Sequence, residues 1–235
     1  MIINVSQSNF NGVMRNGDMI AVANIVEYLR KTTPEVKIHF TPGTINNADY
    51  CQKFYQFLLE NTDYFSDTPG DKMLSWQKAN IWDFRDVSGD LVKIRNEKDI
   101  EDKIVIFPVF DAPYNVYRNW PKEVFNKIIE EYNSDRYKDY QKIICISPNL
   151  NIGNIDGWEI STDFMTNINH IMTCATYVGG DTGTSHFAWA LDRSPPNLIY
   201  YSSSRELLHT LPFYALKGKG QIRTYWLDFE GTKWV

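Results

Sequence analysis

The densest chemistry in the chain lies in Tyr177-Val178-Gly179-Gly180-Asp181-Thr182-Gly183-Thr184-Ser185-His186. An apolar run ends in a glycine pair. A carboxylate, a hydroxyl and a third glycine follow, and then a helix-like segment from Ser185 to Leu191 with His186 near its start. Asp181 or Thr182 can accept from the free N–H groups of a helix N-terminus, and the glycines let a ligand come close to the backbone. The partial positive charge of such a helix end favours phosphate. The turn therefore reads as an anion site. Asp181 is expected to order the loop rather than touch the anion, because two negative groups repel.

The elements around it must position it. Met1 to Ser6 reads as a strand, Met19 to Lys31 as a helix stopped before Pro34, and Val36 to Phe40 as the next strand, which together form an opening βαβ unit. Asn47 to Tyr64 reads as a helix. From Asp71 to Asp102 the apolar residues Leu74, Trp76, Ile81, Trp82 and Phe84 keep no period, apart from a candidate strand at Leu91 to Ile94. This predicts mixed structure with a domain boundary near residue 100, giving domains 1–100 and 101–235. In the second domain Lys103 to Pro108 reads as a buried strand, Lys122 to Asn133 as a helix and Lys142 to Ser147 as a strand. Thr162 to Cys174 reads as a helix, followed by strands at Tyr177 to Gly179 and Asn197 to Tyr201 on either side of the Ser185 helix. Alternating β and α predict a doubly wound α/β domain with ligands at strand C-terminal ends. The tail is expected to hold a helix at Arg205 to Leu208 and a packed segment around Tyr225 to Phe229.

Composition narrows the class. With 43% hydrophobic and 23% charged residues the 235-residue chain is expected to be an ordinary soluble protein. Its net charge of −5 argues against a surface that grips nucleic acid everywhere, which leaves only the local basic stretch Lys217 to Arg223. The N-terminus has no basic leader, no apolar run reaches membrane-spanning length, and Cys51, Cys145 and Cys174 are widely spaced. These features predict a cytoplasmic protein with reduced, buried thiols. No C-x-x-C or H-E-x-x-H spacing points to a metal site.

Three motifs, in order, carry a family resemblance. They are Gly17-Asp18 ahead of an apolar helix, Phe107-Pro108 followed by Arg118-Asn119-Trp120-Pro121, and Gly180-Asp181-Thr182-Gly183-x-x-His186-x-Ala188-x-Ala190-Leu191. The set resembles the heptosyltransferase-like glycosyltransferases, glycosyltransferase family 9. The resemblance implies a GT-B-like α/β fold in which two Rossmann-like halves with parallel sheets face a central cleft, here with a reduced N-terminal half. It implies an acceptor-side domain over 1–100 and a donor-binding domain over 101–235. It also implies inverting transfer of a sugar from a nucleotide-diphosphate sugar, the co-substrate, to an acceptor hydroxyl, with no other cofactor.

By that resemblance Asp18 is the general base, with Gly17 and Arg15 on the acceptor side. Arg118, Asp181, Thr182, Gly183 and His186 serve the donor phosphates, with Arg118 standing where the family commonly has lysine. Read from the residues alone, Asp18 would cap the helix from Met19, while Arg118 could be a solvated loop residue and His186 a structural histidine. Trp120 reads as core. The absence of any D-x-D triplet fits metal-independent chemistry in which Arg118 and the helix end supply the positive charge. After Ser147-Pro148-Asn149 the chain lacks the acidic residue that family members often use for ribose. The acceptor class is a glycan or lipopolysaccharide-type hydroxyl, with a hydroxylated DNA base as a less favoured choice. The rival reading is a non-catalytic nucleotide-binding or scaffold protein. An unrelated Rossmann-like enzyme is disfavoured, because no G-x-G-x-x-G follows the first strand.

Overall fold

The computed structural model describes residues 1–6, 13–73, 92–110, 118–202, 220–228 and 231–234. The chain forms two compact units. One comprises Met1–Asn96 with Ala190–Arg193, the other Glu97–Trp189 with Ser194–Val235.

The first unit contains β1 (Ile2–Val5), α1 (Asn16–Leu29), β2 (Lys37–Phe40), α2 (Asp49–Asn61) and β3 (Lys72–Met73). Its strands form one parallel sheet in the order β2-β1-β3. The opening βαβ unit expected from the sequence is present. Helix α1 starts three residues earlier than expected, and Met19, Ile20, Ile25 and Val26 are fully buried. A helix buried on most of its circumference reads as broadly apolar rather than striped. Of the candidate strand at Leu91 to Ile94, Leu91 lies outside the described residues and Ile94 makes only an isolated bridge to Leu191. The irregular stretch with Leu74, Trp76, Ile81, Trp82 and Phe84 also lies outside them.

The return of Ala190–Arg193 to this unit was not foreseen. It is fixed by backbone and amide hydrogen bonds. Ile94 N–H donates to the Ala190 carbonyl at 2.9 Å and Asp192 N–H to the Ile94 carbonyl at 3.0 Å. The Asn96 side chain donates to the Arg193 carbonyl at 2.9 Å.

The second unit contains β4 (Glu101–Phe107), α3 (Lys122–Tyr132), a 3₁₀ turn (Asp135–Tyr137), β5 (Gln141–Cys145) and β6 (Glu159–Ser161). There follow α4 (Phe164–Thr173), β7 (Cys174–Gly179), α5 (Gly183–Ala190), β8 (Asn197–Ser202), β9 (Gln221–Asp228) and β10 (Gly231–Trp234). Its seven-stranded sheet runs β10-β9-β8-β7-β4-β5-β6 and is parallel except for β10, which pairs antiparallel with β9. Strand β4 lies inside the sheet, and Ile104, Val105 and Ile106 are all fully buried, so both its faces are covered. Helix α3 packs Val124, Phe125 and Ile128 against the face that carries Ile104 and Ile106.

The chain moves outward from β4 through β5 to β6, then crosses back to place β7 on the other side of β4. The order therefore reverses between β4 and β7, and the crevice at their C-terminal ends is where ligands bind in open α/β sheets. Strands β6 and β10 were not foreseen, and Cys174 begins β7 rather than ending a helix. The helix expected at Arg205 to Leu208 lies outside the described residues, as does Phe229.

Among the described residues no helix is long and apolar enough to cross a membrane. All three cysteines are free and buried, as expected. Because β4 anchors both sides of the switch point, Ile106→Ala should cost about 2–5 kcal/mol of stability, read as a lowered denaturant midpoint with an unchanged m-value.

Candidate functional site

At the switch point the residues just after β4 and those just before α3 meet. Trp120 N–H donates to the Val109 carbonyl at 2.6 Å. Residues 111–117 lie outside the described residues. Arg118 follows them, and its Nε lies 2.6 Å from Asp181 Oδ2, on the turn after β7. This contact is a charge pair rather than an aligned hydrogen bond, and both side chains are partly shielded, at 29% and 12% exposure. The pairing engages the Nε edge of the guanidinium.

Behind the turn lies a hydroxyl network. Ser185 Oγ donates to the Gly180 carbonyl at 2.6 Å. The Tyr177 hydroxyl is 3.1 Å from both Thr184 Oγ1 and Ser185 Oγ, and Thr184 Oγ1 is 2.8 Å from Thr182 Oγ1. Burial pushes the Tyr177 hydroxyl far up, so it stays protonated and keeps its place in the network. Gly179 is required here, because a Cβ would lie 2.5 Å from the Tyr177 hydroxyl and 2.6 Å from Ser185 Oγ.

Helix α5 begins at Gly183, two residues before the expected start. The Thr182 carbonyl accepts from the N–H groups of Ser185 and His186, at 3.1 and 3.3 Å. Thr182 is thus the last residue before the helix, and the N–H groups of Gly183 and Thr184 open its first turn, where a helix offers them no internal acceptor. Asp181, Thr182 and Gly183 are only partly buried, so an anion can reach that turn.

His186 is 4% exposed. Burial, and then the Arg118 charge, lower its pKa from 6.5 to about 4. It is therefore neutral near pH 7 and can act there as a neutral imidazole only.

The second unit thus brings Arg118, Asp181, Thr182, Gly183 and His186 into one constellation. Arg15, Gly17 and Asp18 sit together at the start of α1 in the first unit. Asp18 is not the residue before the helix. It occupies the third helical position, and its buried carboxylate accepts the Arg15 N–H at 3.0 Å. That contact is the reciprocal half of a capping box. Cys51 lies beside this helix start, where burial raises its pKa.

Sequence reasoning missed Tyr177, Thr184 and Ser185 as the scaffold of the turn. The run of hydroxyls Thr182-x-Thr184-Ser185 after a glycine pair was the available signal. In the basic stretch, Lys217 and Lys219 lie outside the described residues, whereas Arg223 on β9 is bound to Glu131 at 2.7 Å and to the Tyr201 hydroxyl at 2.9 Å. Among the described residues no three His, Cys, Asp or Glu side chains converge as metal ligands.

The chain matches no protein-family model and no curated protein. Its structure is similar to the crystal structure of the glycosyl transferase family 9 from Veillonella parvula DSM 2008, with a TM-score of 0.51 and 11% identity. The match covers 97% of this chain and 87% of that one. The fold is therefore α/β and GT-B-like, with two Rossmann-like units, as the three motifs implied.

The buried neutral histidine has a measurable consequence. Its folded pKa lies below its unfolded one, so the unfolded chain binds more protons between pH 4 and 6.5, and stability falls as pH drops through that window. At about 1.4 kcal/mol per pH unit, the loss reaches at most about 3 kcal/mol. His186→Gln should flatten this acid limb, measured by chemical denaturation at pH 4.5, 5.5 and 6.5.

Proposed function

We propose that the protein is an inverting, metal-independent glycosyltransferase that moves a sugar from a nucleotide-diphosphate sugar to an acceptor hydroxyl. The observation that carries this reading is Arg118 held by Asp181 beside the first turn of α5, at the C-terminal ends of β4 and β7. A guanidinium and a helix N-terminus side by side suit a diphosphate. They bind it in the ground state and stabilise it further as it departs with an extra negative charge.

In this reading the second unit holds the donor and the first unit holds the acceptor. Asp18 takes the proton from the acceptor hydroxyl, whose oxygen attacks the anomeric carbon while the bond from that carbon to the diphosphate oxygen breaks on the opposite face. The acceptor is a glycan or lipopolysaccharide-type hydroxyl, with Arg15 and Gly17 beside it. The engagement of Arg223 with Glu131 supports a saccharide over a DNA base. The free, buried cysteines fit a cytoplasmic setting.

One observation favours the rival scaffold reading, namely that Asp18 already spends one oxygen on the Arg15 N–H. Asp18→Asn separates the two readings, because asparagine can still accept that N–H but is not a base. Release of nucleoside diphosphate would be measured from UDP-, ADP- and GDP-sugars with saccharide acceptors. We expect turnover to fall about 10²–10⁴-fold in Asp18→Asn, with nucleotide affinity and thermal stability close to wild type. Undiminished turnover would remove Asp18 from the chemistry, and no turnover by the wild type on any donor would favour the scaffold.

A further inference from the structure

One buried donor near the switch point has no use in the free protein. Trp120 is 4% exposed and packs against Tyr201, with ring centroids 5.4 Å apart. Its Nε1–H finds no acceptor among the described residues. An indole nitrogen can only donate, and burying it unpaired costs stability that a phenylalanine would not forfeit.

The position of that N–H is informative. A Cβ built on Gly180 would lie 2.7 Å from Trp120 Nε1 and 2.8 Å from Val109 Cγ2. The indole edge is therefore held against the backbone of Gly180, the residue directly before Asp181. The same turn carries the Arg118 partner and leads into the first turn of α5. An unpaired donor sits against the one turn where an anion is expected.

We propose that Trp120 is a ligand-binding residue whose Nε1–H donates to an oxygen of the diphosphate, as a third donor beside Arg118 and the α5 N-terminus. This inference rests on the donor reading of the preceding subsection. An incoming phosphate competes with the Asp181 carboxylate for Arg118.

The test uses the full chain in three forms: wild type, Trp120→Phe, and a form in which Trp120 is replaced by its sulfur isostere 3-benzothienylalanine, which keeps the shape and removes the N–H. Affinity for pyrophosphate, UDP, ADP and GDP is measured by calorimetry, and the melting temperature is measured without ligand. The isostere form should melt at or above the wild-type temperature, and both altered forms should bind the preferred ligand about ten-fold more weakly, the phenylalanine form also losing stability to the cavity it leaves. Unchanged affinity in the isostere form would overturn the proposal and leave Trp120 a packing residue. A lower melting temperature in that form would do the same, because the N–H would then have a partner within the protein. If the wild type binds none of the four ligands, the donor reading itself fails and this inference falls with it.

Discussion

The charge pair between Arg118 and Asp181 depends on strand order before it depends on either residue. Arg118 follows β4 and Asp181 follows β7, and the two strands are neighbours because the chain crosses back over β4 after building β5 and β6. A loop cation and a turn carboxylate 63 positions apart thereby come within 2.6 Å. The hydroxyls of Tyr177, Thr184 and Ser185 hold the turn that presents the carboxylate, and the lack of a side chain at Gly179 makes room for them. The neutrality of His186 follows from the same arrangement, since burial and the neighbouring guanidinium both disfavour its charged form.

Elements with dense apolar signals were legible in the sequence. Strand β4 announced itself through Ile104-Val105-Ile106-Phe107, and α3 through an apolar face that the structure buries at Val124, Phe125, Ile128 and Ile129. Strand β6 has three residues, of which only Ser161 is buried, so neither length nor pattern marked it. The start of α1 was misplaced because an aspartate before an apolar run reads most simply as the residue that precedes a helix. Here Asn16 and Gly17 are already helical, and Asp18 caps backwards onto Arg15. The return of Ala190–Arg193 to the first unit rests on backbone hydrogen bonds and on Asn96, which leave no periodic trace.

The candidate site divides along the same line. Asp181, Thr182, Gly183 and His186 lie within six residues, so their grouping was visible as a turn before a helix. Pairing Arg118 with that turn came from the family resemblance, while the strand order that brings the two together left no trace in residue spacing. The position of the Trp120 Nε1–H was hidden for a different reason. A tryptophan beside a proline reads as core, and it is core; only the geometry shows its Nε1–H lying against Gly180 without an acceptor.

The pairing also shapes what the site can select. With Asp181 seated on Arg118, and with His186 neutral, the side chains of the constellation carry no net charge. A single phosphate competing for the guanidinium would replace one charge pair with another and gain little. In the proposed donor reading a diphosphate differs, because one phosphoryl group would take the helix N-terminus while the other would displace the carboxylate. Once the first is bound, the second acts at a high effective concentration. In that reading an internal carboxylate keeps the guanidinium paired in the free protein and would bias the site toward ligands that reach both positive groups at once.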